Sequence, residues 1–199
     1  MTHQIILASA SEIRRSLLKN AGVSVRTEVA RIDEEMIKAA MEAEGSHPRD
    51  IADALAEGKA RKVSMKHPDA LVIGCDQVLD FKGRIYSKPR SEDEAKDHLK
   101  AFRNNTHALL SAAVIYENGE PKWRHVGVVR LAMRDFSDSY LDDYVARNWG
   151  SIQHSVGGYK LEEEGVRLFS RIDGDYFTVL GMPLIELLNY LTLRGVLNG

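Results

Sequence analysis

Asp76 comes just after the apolar run Ala70-Leu71-Val72-Ile73-Gly74, which predicts a buried strand. The carboxylate would therefore lie at the carboxyl end of a strand, where ligands collect in open α/β sheets. In that place it can bind a metal ion or accept a proton from water as a general base. The sequence alone supports equally well an aspartate that only caps the next turn.

Lys59 lies on the apolar stripe of a long helix that Pro48 is expected to open, ending near Lys66. Three apolar residues share the stripe at a spacing of four: Ile51, Leu55 and Val63. A lysine on such a stripe usually extends past its edge into water. The alternative is an ammonium directed into an anion site.

A third cluster follows the first predicted strand and comprises Ser9, Ser11 and Arg14. Unpaired backbone N–H groups and the helix dipole favour phosphate at a helix N-terminus, and arginine can bind phosphate with two hydrogen bonds. Lys88, held extended before Pro89, can also face an anion. A plain helix cap and a surface lysine are the alternatives. Neither a Walker-type loop nor a GxGxxG motif is present.

The elements that would position these residues alternate between strands and helices. Strands are expected over residues 5–8, 23–29, 70–74, 107–116, 123–133 and 166–172, with a hairpin over 78–86. Helices are expected over 11–21, 48–66 and 91–103, after Ser137, and from Pro183 onward. Residues 30–47 have no clear assignment, and a loop is expected over 150–164. This alternation predicts a mixed α/β fold.

Composition excludes several classes of protein. The 199 residues have a formal net charge of -2 and show no interleaving of basic and aromatic residues, so a nucleic-acid partner is not expected. No apolar run approaches about 18 residues, and no secretory signal is recognised, so no membrane association is expected. The single cysteine, Cys75, excludes an internal disulfide. These features predict a cytoplasmic protein.

The candidate residues also fall in motifs of the Maf family of septum-formation-inhibitor-like proteins, which the chain resembles over nearly its whole length. The matching segments are Leu7-Ala8-Ser9-Ala10-Ser11-Glu12-Ile13-Arg14, Asp33-Glu34, Gly58-Lys59-Ala60, Gly74-Cys75-Asp76-Gln77, Ser87-Lys88-Pro89, Thr106-His107, Ile172-Asp173-Gly174-Asp175-Tyr176-Phe177 and Val179-Leu180-Gly181-Met182-Pro183-Leu184. The resemblance implies one α/β domain over residues 1–199. A strongly twisted mixed sheet would be flanked by helices, with two lobes around a deep cleft, similar to inosine-triphosphate pyrophosphatase.

Family members hydrolyse nucleoside triphosphates between the α and β phosphates. The resemblance therefore implies a house-cleaning hydrolase that needs a divalent cation (Mg, Mn or Co) and that forms homodimers. Asp76 would activate water, and Glu34 and Asp76 would lie at the metal. The triphosphate would be held by the remaining matching residues, with the two lysines also catalytic: Ser9, Ser11, Arg14, Lys59 and Lys88.

Three positions that distinguish family subgroups match Ile13, Gln77 and Glu162. The subgroup acting on 7-methyl-GTP tends to carry Trp, Gln and Glu, whereas the dTTP and UTP subgroup tends to carry Arg, Thr and Gln. Two of the three residues agree with the methyl-guanine type. A carboxylate can accept from guanine N1–H and the exocyclic amine together, whereas uracil offers a single ring N–H on that edge.

Two alternatives stay open from the sequence. One is a dTTP or UTP pyrophosphatase of the same family. Within the methyl-guanine type, Ile13 lacks the aromatic face that would stack on a cationic methylated base, so plain GTP or another modified nucleotide could also be the substrate. The other is a nucleotide-binding regulator of septum formation without turnover, which would not need Asp76.

Overall fold

A seven-stranded mixed sheet organises the fold. The computed structural model describes residues 4–198, so the ends of the domain predicted over residues 1–199 lie outside the described part. The strands are β1 (Ile5–Leu7), β2 (Arg26–Thr27), β3 (Leu71–Phe81), β4 (Arg84–Tyr86), β5 (Thr106–Glu117), β6 (Glu120–Met133) and β7 (Phe169–Asp173). Their order is β2-β1-β3-β5-β6-β7, with β4 also paired to β3. β1 runs parallel to β2 and β3, and the other pairings are antiparallel.

Helices cover both faces of this sheet. They are α1 (Glu12–Asn20), α2 (Glu34–Ala43), α3 (Pro48–Ser64), α4 (Glu92–Phe102), α5 (Asp138–Ile152), α6 (Tyr176–Val179) and α7 (Leu184–Leu193), with short 3-10 helices at Val156–Gly158 and Glu164–Leu168. Within residues 4–198, none of the helices is long and apolar enough to cross a membrane. The predicted mixed α/β fold, a sheet flanked by helices, is confirmed.

Alternation of side chains along β3 assigns each face its helices. Even-numbered side chains such as Val72 and Val78 pack in the clusters that α3 completes. Odd-numbered ones such as Ile73 and Leu79 pack with α1 and α7 at one end and with α4 and α5 at the other. Asp76 and Gln77 therefore point to opposite faces of the same strand.

One edge of β3 is interrupted at its centre. β1 pairs only with Leu71–Ile73, and β4 pairs only with Leu79–Phe81, whereas β5 follows the other edge from residue 72 to residue 80. Within residues 4–198, residues 74–78 thus have no strand partner on this side. The gap exposes the middle of β3 to ligands at the point where Asp76 and Gln77 lie.

Local sequence signals account for most helix and turn boundaries. Ser11, Ser91 and Ser137 cap α1, α4 and α5 by accepting a backbone N–H three residues on. Ser91 and Glu94 have the spacing of a capping box, but the Glu94 side chain accepts from the backbone N–H of Arg90 rather than from that of Ser91. Turns at Lys82-Gly83 and Asn118-Gly119 both have the positive φ angles of tight hairpins.

Four sequence expectations were wrong in extent. The strand predicted over residues 70–74 continues to Phe81 as β3, so Asp76 lies in the middle of a strand and not at its carboxyl end. Residues 23–29 form only the two-residue strand β2, and residues 30–47, which had no assignment, contain α2, capped by Asp33. Residues 164–168 form a 3-10 helix, so β7 begins only at Phe169. The predicted loop over 150–164 starts later, since α5 continues to Ile152. Tertiary packing overrides propensity in each case.

Gly74 allows α3 to lie directly on β3. A Cβ at this position would come within 2.1 Å of the Ala56 carbonyl oxygen and 2.6 Å of the Ala60 backbone nitrogen. Backbone atoms cannot move away without shifting the helix, so only glycine permits this approach. The contact lies beside Lys59 on one element and two residues before Asp76 on the other.

Replacing Gly74 with alanine should therefore separate α3 from β3. We expect the Gly74→Ala variant to lose about 2–3 kcal/mol of unfolding free energy through overpacking, measured by urea denaturation. Gly150→Ala is the matched control, because Gly150 lies in a helix with nothing near its added Cβ. Equal stability of the two variants would contradict the close approach.

His107, the second residue of β5, makes a buried polar contact. Its Nε2 lies 2.6 Å from the Tyr159 hydroxyl, whereas its Nδ1 is buried and has no partner among the described residues. Burial lowers the pKa of His107 to about 4. In the unfolded chain the ring titrates near its ordinary value of 6.5, so only the unfolded chain binds a proton between these values.

Stability should therefore fall as pH drops from 6.5 to 4. The contribution of His107 to the free energy of unfolding is fully present above pH 6.5. About 3 kcal/mol of that free energy is lost by pH 4. Urea denaturation across this range tests the prediction, with His107→Gln as the comparison, because glutamine does not titrate. Parallel stability curves for the two proteins would contradict it.

Candidate active site

A cleft of about 940 Å³ opens at the gap in the edge of β3. Every residue predicted to serve the site lines it: Ser9, Ser11, Ile13, Arg14, Glu34, Lys59, Asp76, Gln77, Lys88 and Glu162. Apolar side chains share the lining, among them Leu109, Val156, Leu161 and Leu180. Residues from eight separate parts of the chain thus meet around one cavity, which has both charged and apolar walls.

Lys59 links the two carboxylates of the cleft. Its Nζ lies 2.6 Å from Asp76 Oδ1 and 2.9 Å from Glu34 Oε1. The side chains of Lys59 and Asp76 are only 11% and 8% exposed, whereas that of Glu34 is 40% exposed. The stripe position of Lys59 therefore directs its ammonium into a buried anionic site rather than into water.

The charge of Lys59 also acts on Glu34. Partial burial raises the pKa of this carboxyl. The charge and hydrogen bond of Lys59, with smaller contributions from Lys38 and Lys88, lower the pKa by more than burial raises it, so the net shift is downward. Glu34 is therefore ionised at neutral pH and available as a ligand for a cation.

The loop between β1 and α1 contributes polar groups from the opposite wall. Ser11 caps α1, and the Ser9 hydroxyl accepts from the Ser11 backbone N–H at 3.2 Å. Arg14 donates to the carbonyl oxygens of Gly181 at 2.7 Å and Cys75 at 3.0 Å. Part of this guanidinium therefore holds the sheet gap and the loop before α7 together, a role that the sequence pattern did not indicate.

The structure distinguishes the three successive glutamates. Glu163 accepts from Ser151 and Lys160, and Glu164 pairs with Arg147. Glu162 lines the cleft, is exposed, and makes no side-chain hydrogen bond or ion pair within the described residues. It is thus the glutamate available to a ligand.

Further charged residues line the cleft without having been predicted. Glu35 and Lys38 come from α2, and Arg90 follows Lys88 by two residues. Lys38 lies four residues after Glu34, a helical spacing that would have indicated it had α2 been recognised. Nothing in the local sequence around Arg90 marks it as a cleft residue.

The donor chemistry fits a hard divalent cation. Among the described residues no group of three or more His, Cys, Asp and Glu side chains is arranged for a metal. Glu34 and Asp76 nevertheless lie close together, since both contact the Lys59 ammonium. Mg²⁺ commonly uses only one or two carboxylates and completes its shell with water and substrate phosphates. Glu34 and Asp76 are therefore the residues that would hold such an ion.

Removing the Lys59 charge should destabilise the folded protein. In Lys59→Met, Asp76 would remain buried without its cation, which costs about 3 kcal/mol of unfolding free energy. Urea denaturation in the presence of a chelator measures this loss. Lys62→Met, at an exposed position of the same helix, should change stability by less than about 0.5 kcal/mol. A Lys59→Met protein as stable as that control would contradict the ion-pair assignment.

Comparison with known proteins agrees with this arrangement. A family model described as Maf-like protein matches residues 4–193. Proteins named nucleoside triphosphate pyrophosphatase from Ruegeria pomeroyi and Roseobacter denitrificans are each 67% identical, the first over the whole of both chains and the second over 98% of each. A 7-methyl-GTP pyrophosphatase from Rhizobium meliloti is 45% identical over 98% of both chains. The chain therefore belongs to the Maf-like protein family.

Proposed function

We propose that this protein hydrolyses nucleoside triphosphates between the α and β phosphates, releasing the nucleoside monophosphate and pyrophosphate. The observation that carries the proposal is the Glu34–Lys59–Asp76 cluster within a cleft that also holds Lys88 and the N-terminus of α1. The names of the similar proteins support the same activity.

Asp76 is suited to act as the general base. Its Oδ1 accepts from Lys59 at 2.6 Å, which fixes the orientation of the carboxylate. Its Oδ2 has no hydrogen-bond partner among residues 4–198 and can accept a proton from a water molecule. That water would bond to the α-phosphorus as the bond to the bridging oxygen breaks and pyrophosphate leaves.

Cationic and backbone groups would stabilise the charge that develops on the phosphates. Lys88 is exposed at the cleft, and the first turn of α1 offers backbone N–H groups beside Ser9 and Ser11. A cation held by Glu34 and Asp76 would neutralise phosphate charge and polarise the phosphorus centre. Such preorganised charge is usually the largest contribution to phosphoanhydride cleavage.

The residues expected to contact the nucleobase favour a base with the hydrogen-bond donors of guanine. Glu162 brings an exposed carboxylate to the cleft, which can accept from N1–H and the 2-amino group together. Ile13 gives apolar contact without the cation attraction of an aromatic ring. We therefore propose 7-methyl-GTP or another guanine-edged nucleotide as substrate, in line with the 7-methyl-GTP pyrophosphatase of Rhizobium meliloti.

Location and assembly remain part of the proposal. The sequence has a single cysteine, Cys75, a free buried thiol, which is consistent with a cytoplasmic site of action. A homodimer is expected from the family resemblance. Size-exclusion chromatography with light scattering would test that assembly, and a monomeric mass at micromolar concentration would contradict it.

Turnover of a nucleotide panel tests the activity. Purified protein with Mg²⁺, Mn²⁺ or Co²⁺ should release pyrophosphate from 7-methyl-GTP and GTP faster than from dTTP, UTP or CTP, and a chelator should stop release. Asp76→Asn should lower kcat by about 10²- to 10⁴-fold because the general base is lost. Asp69→Asn, an exposed position, is the matched control and should stay near the original rate.

The results separate the parts of the proposal. Fastest turnover of a pyrimidine nucleotide would retain the hydrolase and refute the guanine edge. Nucleotide binding without turnover under any metal would favour the regulatory binder instead.

A further inference from the structure

The side-chain amide nitrogen of Gln77 donates to three acceptors. This Nε2 atom lies 2.9 Å from the Ser111 hydroxyl, 3.1 Å from the Thr178 carbonyl oxygen and 2.9 Å from the Val179 carbonyl oxygen. Ser111 is fully buried and faces Gln77 across the β3–β5 pairing. The two carbonyls come from α6, which Asp175 caps by accepting from the Thr178 backbone N–H.

Hydrogen-bond directions in this group leave one orientation of the amide. The Ser111 hydroxyl donates its proton to the Thr178 carbonyl at 2.7 Å, so towards Gln77 it can only accept. Nε2 carries two protons and suits three acceptors, whereas Oε1 in the same place would face only lone pairs. A flipped amide would therefore leave buried acceptors unsatisfied.

Packing around α6 keeps the two carbonyls in place. A Cβ at Gly127 would come within 2.7 Å of the Thr178 Oγ1, so glycine on β6 makes room for α6 against the sheet. Thr178 itself is fully buried. The acceptors that orient Gln77 thus belong to a buried, closely packed part of the fold.

The consequence is that Gln77 offers the cleft an acceptor and no donor. Gln77 lines the cleft, and its Oε1 accepts no hydrogen bond from any described residue. Glu162, the other specificity position, is an acceptor as well when ionised. Guanine and 7-methylguanine present N1–H and an amino group on one edge. Uracil presents one N–H between two carbonyls, and adenine presents an amino group beside an unprotonated ring nitrogen.

We infer that Ser111 is a positioning residue for base selection: with the carbonyls of residues 178 and 179, it locks Gln77 as an acceptor and thereby selects nucleotides whose base donates from adjacent groups. The inference rests on the proposed function, because it assumes that the base of a nucleotide reaches Gln77. Ser111 acts through Gln77 and not on the phosphates, so its loss should weaken discrimination and leave catalysis intact.

The test measures binding of non-hydrolysable α,β-methylene analogues of GTP and UTP. In Ser111→Ala the ratio of the two dissociation constants should shift about 5-fold towards UTP, the effect of losing one neutral hydrogen bond. In a Gln77→Ala background, adding Ser111→Ala should cause no further shift, because its effect passes through Gln77. For GTP turnover, kcat should be nearly unchanged while KM rises.

Matched variants separate positioning from simple loss of packing. Ser64→Ala removes another buried hydroxyl, on α3, and should leave the ratio unchanged. Ser111→Thr keeps the hydroxyl and should restore most of the discrimination. If Ser111→Ala fails to fold, Ser111→Cys keeps the volume with weaker hydrogen bonding and should shift the ratio in the same direction.

Several outcomes would overturn the inference. An unchanged ratio in Ser111→Ala, or a further shift in the Gln77→Ala background, would show that Ser111 does not act through Gln77. Because binding is measured, an unmodified protein that binds analogues but hydrolyses nothing would reject the proposed activity, and the ratio would still decide the role of Ser111. Failure of both analogues to bind would overturn both.

Discussion

Burial of the Lys59 ammonium between Asp76 and Glu34 is the constraint from which the site follows. A charge removed from water is tolerated only when opposite charges and hydrogen bonds replace its hydration. Contacts of 2.6 and 2.9 Å supply that replacement here, but only while α3 stays in direct contact with β3. Gly74 makes this contact possible because no side chain separates the strand from the helix backbone. A packing feature and an electrostatic feature therefore depend on each other.

The gap in the edge of β3 turns this cluster into a site. A strand paired along both edges would have its ligand-facing groups blocked by a neighbour, whereas residues 74–78 are open on one side. Because side chains alternate, Asp76 faces α3 and Gln77 faces α6, and a ligand at the gap can reach both. The proposed roles of Asp76 in hydrolysis and of Gln77 in base selection would thus come from consecutive residues without competing for the same space.

Arg14 shows how one side chain supports both the fold and the site. Its guanidinium donates to carbonyl oxygens at Cys75 in the gap and at Gly181 before α7. It thereby satisfies backbone acceptors that no strand reaches and joins the first and last thirds of the chain. The phosphate contact of Arg14 stays a prediction. Nε and Nη1 of its guanidinium already donate to backbone carbonyls, so the rest of the group would have to contact the phosphate.

Local signals in the sequence determined the elements whose causes are local. Side chains of Ser11, Ser91 and Ser137 satisfy N–H groups three residues away, and Asn118-Gly119 adopts positive φ with few neighbours involved, so these boundaries could be predicted. The motif resemblance likewise indicated which residues would line one cleft. Features set by distant partners could not be predicted, among them the length of β2 and the 3-10 helix over residues 164–168.

The same division holds inside the site. The sequence alone placed Lys59 on an apolar stripe, but it did not decide whether the ammonium faces water or an anion. It also predicted Asp76 after a strand, whereas Asp76 lies in the middle of β3. Tertiary structure decided which way the ammonium faces, because the carboxylates that draw it inward lie 17 and 25 residues away along the chain. It also decided which of three glutamates faces the cleft and which way the Gln77 amide points, since Ser111 and the α6 carbonyls reach Gln77 only through the folded sheet.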